Sequence, residues 1–255
     1  MKRRRWLAMA ALLAGAGCLD LSTDPDEIVA IEFNELPWPS IVAGDTLRDS
    51  TGAVATLGAR LLDGDGDEVT GPVEFLSQDA DVRVLADGRV VADDTASGTA
   101  RLLASTAGLQ SIVRQLEIVA APDSADPDGT PTPLAWVAPD DPALNVSVPL
   151  GLRVLDTSGD TPAGVRGWIV TFDLQVDGQG SSRTDTTRAY LVNDAGRVSY
   201  ADTTDASGRA TRRLRLRVAP GFSPPDSAVI LVRASYRGVS LTGAPVRWVL
   251  PIRPG

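Results

Sequence analysis

From residue 28 onward the chain alternates apolar and polar positions with a period of two. Val29, Ile31 and Phe33 share one phase; Leu57, Ala59 and Leu61, then Val73 and Phe75, then Ala100, Leu102 and Ala104 repeat it. Such alternation sends successive side chains to opposite faces, so each run predicts a short strand with one face in a core. Turn-forming clusters separate the runs at Asp49-Ser50-Thr51-Gly52, Asp63-Gly64-Asp65-Gly66, Asp87-Gly88 and Ala96-Ser97-Gly98. Their spacing of roughly 10 to 15 residues fits a sandwich of short antiparallel strands. Further on, Val146, Val148, Leu150, Leu152 and Val154 predict one inner face, with Asn145, Ser147 and Arg153 opposite. Four more runs follow: Trp168 to Leu174, Leu214 to Val218, Ile230 to Tyr236 and Ala244 to Ile252. No segment beyond the N-terminus holds a helical period for three turns.

Two stretches lack this pattern. Residues 18–27 are short and acidic and read as a tether, while residues 120–133 are rich in proline and aspartate and read as a linker. The expected organisation is therefore all-β, with one sandwich over 28–119 and a second over 134–255. Residues 18–255 are enough chain for two domains of about 100 to 130 residues, each with its own core. A hydrophobic share of 43% supports globular folding.

The first seventeen residues differ in kind. Lys2, Arg3, Arg4 and Arg5 precede an apolar run from Trp6 to Gly17, which is the order of parts in an export signal and predicts a signal helix. The run is too short for a stable membrane span, which needs about 18 apolar residues. Its removal takes away four positive charges and lowers the net charge from −9 to −13. A field of that sign repels nucleic acid and anionic membrane surfaces, so no nucleic-acid partner is expected. Cys18 is the sole cysteine, which excludes an intramolecular disulfide.

The segment Gly15-Ala16-Gly17-Cys18 resembles a bacterial lipobox. That resemblance implies cleavage before Cys18, lipid attachment to its thiol, and a membrane partner through the resulting anchor. Acyl chains anchor stably when two or more are present, at about 0.8 kcal/mol per buried methylene. By resemblance to lipoprotein sorting, Leu19 after the cysteine implies the outer membrane, on either its periplasmic or its surface-exposed side.

Residues 73–104 resemble the bacterial Ig-like domains of intimin- and invasin-type surface proteins. The resemblance rests on Ser77 and Asp79, on Gly88 and Val90, and on Gly98 with Ala100; Phe75 stands where the family usually carries tryptophan. The second half is similar to another bacterial Ig-like type, through Val154, Asp156, Gly159, Pro162, Gly164 and Val165 and through Thr204, Asp205, Gly208 and Ala210. These resemblances imply two tandem Ig-like antiparallel sandwiches serving as a spacer, an adhesive element or a protein-interaction module. A fold of this kind does not by itself fix a function.

Histidine is absent, which excludes Ser-His-Asp triads, Cys-His pairs and histidine-ligated zinc. No carboxylate pair is singled out for glycoside hydrolysis, so no enzyme, catalytic residue or cofactor is expected. Asp63, Asp65, Asp67 and Glu74 occupy positions 1, 3, 5 and 12 of an EF-hand loop, but Glu68 stands where the sharp turn requires glycine, and the flanks read as strands. An acidic hairpin turn is the expectation, with weak calcium binding as its alternative. Arg213, Arg215 and Arg217 alternate with Leu214, Leu216 and Val218 and predict a basic stripe on one sheet face. That stripe is either a solvated face or a docking strip for lipid phosphates or an acidic partner. Trp38, between Pro37 and Pro39, is a candidate stacking platform. It raises the alternative of a carbohydrate-binding accessory protein, which predicts an exposed aromatic row and a glycan ligand.

Overall fold

A computed structural model describes residues 27–255; the signal sequence, Cys18 and most of the tether lie outside them. Among the described residues there are strands and turns and no helix. The strands before residue 120 are β1 (Ala30–Phe33), β2 (Ser40–Val42), β3 (Ala59–Leu62), β4 (Glu68–Val69), β5 (Glu74–Ser77), β6 (Val82–Val84), β7 (Val90–Ala92), β8 (Gly98–Thr106), β9 (Leu109–Gln110) and β10 (Arg114–Val119). Those after it are β11 (Ser124–Asp128), β12 (Leu134–Trp136), β13 (Leu150–Asp156), β14 (Ala163–Gly164), β15 (Ile169–Val176), β16 (Gln179–Gly180), β17 (Ala189–Val192), β18 (Ala201–Thr203), β19 (Arg209–Leu216), β20 (Ser227–Arg233), β21 (Ser235–Tyr236), β22 (Val239–Ser240) and β23 (Val246–Pro254).

In the first half a sheet ordered β1-β3-β4 lies against one ordered β2-β10-β8-β5. The predicted inner phase of β8 holds, with Ala100, Leu102 and Ala104 fully buried. Phe33 of β1 meets Phe75 of β5 with ring centroids 5.5 Å apart, closing the space between the sheets. Val29 departs from the predicted phase and is exposed, since it precedes the paired residues of β1.

The second half repeats the two-layer plan with sheets ordered β11-β13-β19-β17 and β12-β23-β20-β15-β16. Leu150, Leu152, Leu214, Leu216, Ile230 and Leu250 are fully buried between them. Each such side chain stabilises the fold by about 1.5–3 kcal/mol through apolar burial. Trp248 of β23 donates its indole N–H across the layers to the Gly151 carbonyl of β13, at 2.9 Å. Glycine is required there, because a Cβ on residue 151 would sit 1.8 Å from the Ala210 carbonyl oxygen of the neighbouring strand.

Three expectations are corrected. Pairing is mostly antiparallel, but β2 runs parallel to β10 and β12 parallel to β23. The 120–133 stretch is not all linker, since β11 lies within it and pairs with β13 from Ser124↔Leu155 to Asp128↔Gly151. Pro127 is tolerated because β11 is the edge strand of its sheet, where a missing N–H breaks no ladder. The third concerns phase. Leu150 opposes Arg212, but Val146 opposes Arg215, so five residues on one strand face four on the other. This bulge, next to Pro149, inverts the side-chain alternation. Asn145 and Ser147 consequently point inward and are buried, and Val148 is exposed.

Candidate functional site

The bulge determines what surrounds the arginine stripe. On the outer face of β19 and the residue that follows it, Arg213, Arg215 and Arg217 alternate as predicted, with Val192 and Tyr190 of β17 opposite the first two through the pairs Val192↔Arg213 and Tyr190↔Arg215. The phase inversion adds Val146 beside Arg215. These residues floor an open groove of about 620 Å³, with Asp140 and Pro142 on one rim and Asn193, Asp194 and Gly196 on the other.

The three arginines are not equivalent. Arg215 is buried, and its guanidinium bridges to Asp140 at 2.7 Å and donates to the Asn145 carbonyl at 3.2 Å. Burial opposes ionisation of Asp140, but donors from Asn145, Arg215 and the Val218 N–H outweigh it and hold the carboxyl below its usual range. Asn145 completes the support, accepting from the Val137 N–H at 2.7 Å and donating to the Val137 carbonyl at 3.0 Å. Arg213 faces only the exposed Asp194, at 3.7 Å, and Arg217 has no ion-pair partner among the described residues. The predicted solvated stripe is thus corrected at Arg215, which is a structural cation; Arg217 is exposed, and Arg213 is half-exposed on the groove although its Nε is buried without a hydrogen-bond partner.

A second cluster, not anticipated from the sequence, joins the two halves. Asp45, in the turn after β2, is buried and accepts from Arg48 at 2.9 and 3.0 Å and from the Thr46 N–H at 2.8 Å. From the second half it also accepts the Tyr236 hydroxyl at 2.7 Å and Arg237 Nε at 3.1 Å. Burial disfavours its charge, yet the donors from Arg48, Arg237, Tyr236 and Thr46 prevail and hold the carboxyl well below the usual carboxylate range. Burial and then the Asp45 carboxylate push the Tyr236 phenol up to about 12.

Around this clamp the halves interlock. Trp38 packs edge-on against Trp168 at 5.4 Å, and Trp168 against Tyr236 at 5.7 Å. Ser40 Oγ donates to the Gly167 carbonyl at 2.9 Å, and Arg166 faces Glu117 at 3.4 Å. At Gly52, with φ of +86°, a Cβ would meet the Gly238 nitrogen at 2.1 Å, so two loop backbones touch where only glycine allows it. The bridging role of Asp45 escaped sequence reasoning because its partners in the second half, Tyr236 and Arg237, lie 191 and 192 residues away, while its local partners Thr46 and Arg48 mark only a turn.

The remaining candidates resolve locally. Asp63 turns back on its own hairpin, its Oδ1 accepting from the N–H groups of Asp65 and Asp67, both at 2.9 Å. β3 and β4 flank that turn, whereas Glu74 lies on β5 in another sheet, so the four EF-hand-like carboxylates are not brought together. Trp38 is buried at the junction, a correction to its reading as a stacking platform. No aromatic side chain among the described residues is exposed, and the aromatic row that the carbohydrate-binding alternative requires is not formed.

No protein-family profile matches the chain. No curated protein matches it either. Among solved structures it is similar to the adhesin InvE of Yersinia pseudotuberculosis, with 16% identity over 88% of this chain and a TM-score of 0.35. It is also similar to domains 4–9 of the surface-layer protein SbsC, with 16% identity over 90% and a TM-score of 0.30. A third similarity is to eight Ig domains of the cell-adhesion molecule DSCAM, with 13% identity over 88% and a TM-score of 0.25. The chain spans 58%, 32% and 24% of those three chains. Overlays this loose establish no common strand arrangement, and the architecture rests on the strand pairing given above.

Proposed function

We propose that this is an exported envelope protein, lipid-anchored through Cys18, in which two Ig-like sandwiches act together as a non-enzymatic spacer and protein-interaction module. The observation that carries the reading is the Asp45 junction. Tandem domains joined only by a linker move independently by default, because small polar interfaces do not fix their angle. Here a buried carboxylate with donors from both halves, two tryptophans and a glycine-to-glycine backbone contact support a single rigid unit, as a spacer that sets distance and orientation requires. The export signal and the lipobox resemblance support the envelope address.

The test is protease treatment of intact cells, compared with permeabilised cells, for the wild-type chain and for Cys18→Ser. Membrane-associated wild-type protein degraded in intact cells, together with Cys18→Ser recovered unanchored, is the expected result for a surface module. Protection until permeabilisation would restrict the role to a periplasmic spacer. Equal membrane association of the two chains would overturn the anchor.

A further inference from the structure

We propose that the groove on the outer face of β17 and β19 binds an extended acidic polypeptide, with Arg213 and Arg217 as its two anchoring cations and Tyr190 between them. The proposal deepens the interaction-module reading and rests on it only in taking the partner to be a protein. Alternate residues of a strand lie about 6.6 Å apart, so Arg213 and Arg217 stand about 13 Å apart along the groove. β19 itself ends at Leu216, but Arg217 continues the pairing by donating its N–H to the Arg188 carbonyl at 3.0 Å. An extended chain with carboxylates four residues apart has the same spacing. A single phosphate or sugar acid does not span it.

The floor between the cations suits the same occupant. Val146, Tyr190 and Val192 supply an apolar strip, and Leu144 and Val198 are exposed large apolar side chains close to the lining residues in sequence. Arg215 does not serve as an anchor, because its guanidinium is spent on Asp140 and the Asn145 carbonyl. It acts as a positioning residue that holds the 137–146 rim against β19. Arg213 is the exchangeable site, since its distant pairing with exposed Asp194 is of the kind that contributes little. A partner carboxylate that replaces Asp194 leaves Asp194 in water at small cost, while Arg217, unpaired among the described residues, gains an ion pair.

Charge supports the location. In a chain of net charge −9, the three arginines of this groove outnumber the two aspartates on its rims. The net negative charge of the chain disfavours an acidic partner in general, and the groove's excess of one cation favours one locally.

The experiment is an amide NMR titration of residues 27–255 with the peptide Glu-Val-Thr-Val-Glu, blocked at both ends, and with its Gln-Val-Thr-Val-Gln counterpart. Expected are shifts confined to residues 190–196 and 213–218, no shifts with the glutamine peptide, and affinity that falls as salt rises. The double variant Arg213→Ser/Arg217→Ser, which removes only exposed or half-exposed cations, should bind at least about tenfold more weakly with an unchanged spectrum elsewhere. Binding that survives in the double variant, or no shift in the groove, overturns the proposal. So do groove shifts produced by anionic-lipid vesicles and not by the peptide. Protease and fractionation results on cells are independent of this titration, so failure here leaves the spacer reading standing.

Discussion

The hairpin at 63–67 and the junction around Asp45 are both aspartate-bearing turns of the first half, and they do opposite things. Asp63 spends its carboxylate on N–H groups two and four residues ahead in a hairpin whose tip, residues 64–68, is exposed, and is itself only half-buried. Asp45 also serves a neighbouring N–H, on Thr46, but is buried and holds Tyr236 and Arg237 from the other half. The side chain and the local turn chemistry are alike; what differs is the surface that closes over one of them. Low effective dielectric strengthens the paired charge and makes its loss costly, whereas water screens the other.

The largest break in that comparison should come from Trp168→Ala, which removes the ring between Trp38 and Tyr236 and its indole donor to the Ser235 carbonyl. A loss of about 3–5 kcal/mol is expected, read by denaturant unfolding. Asp45→Asn follows. It leaves two arginines facing a neutral acceptor and should cost about 3 kcal/mol, splitting one unfolding transition into two as the halves decouple. Small-angle scattering should then report a wider spread of interdomain angles, and an unchanged profile would remove the clamp from the spacer reading.

Acid sharpens the contrast further. The folded carboxyl of Asp45 is depressed below the unfolded value of about 3.9, so its contribution is fully present above that pH and is lost as pH falls towards the folded value. Wild-type stability should therefore drop below about pH 4 by more than that of Asp45→Asn, since the variant lacks the titrating group. The smallest effect belongs to the hairpin. Asp63→Ala should leave the cooperativity of unfolding intact, and millimolar calcium against a chelator should not move the thermal midpoint; a calcium-dependent rise would restore the metal reading.

Much of the fold is legible in the period-two pattern because burying one face of a strand needs only local alternation. The inner residues of β8, β15 and β23 follow it closely, from Ala100 to Ala104, Val170 to Leu174 and Val246 to Ile252. Where it misleads, a tertiary cause is visible. The bulge beside Pro149 inverts Asn145 to Val148, and the edge position of β11 converts a proline-rich stretch into a strand. Of the site, the alternation of Arg213, Arg215 and Arg217 is a property of the sequence, while the burial of Arg215 against Asp140 is not.

The sequence by itself determined the all-β composition, the exclusion of histidine chemistry, the acidic net charge and the candidate lipid attachment at Cys18, since each follows from residue identity and nearest-neighbour order. Only the tertiary structure decided that Trp38 is core and not platform, that Asp45 and not Asp63 bonds to the other half, and that Arg213 and Arg217 face a groove. These outcomes depend on which surfaces meet across nearly 200 residues of chain, as the Asp45–Tyr236 hydrogen bond shows. Burial converts ordinary turn and strand residues into a clamp, and no local pattern encodes burial between distant segments.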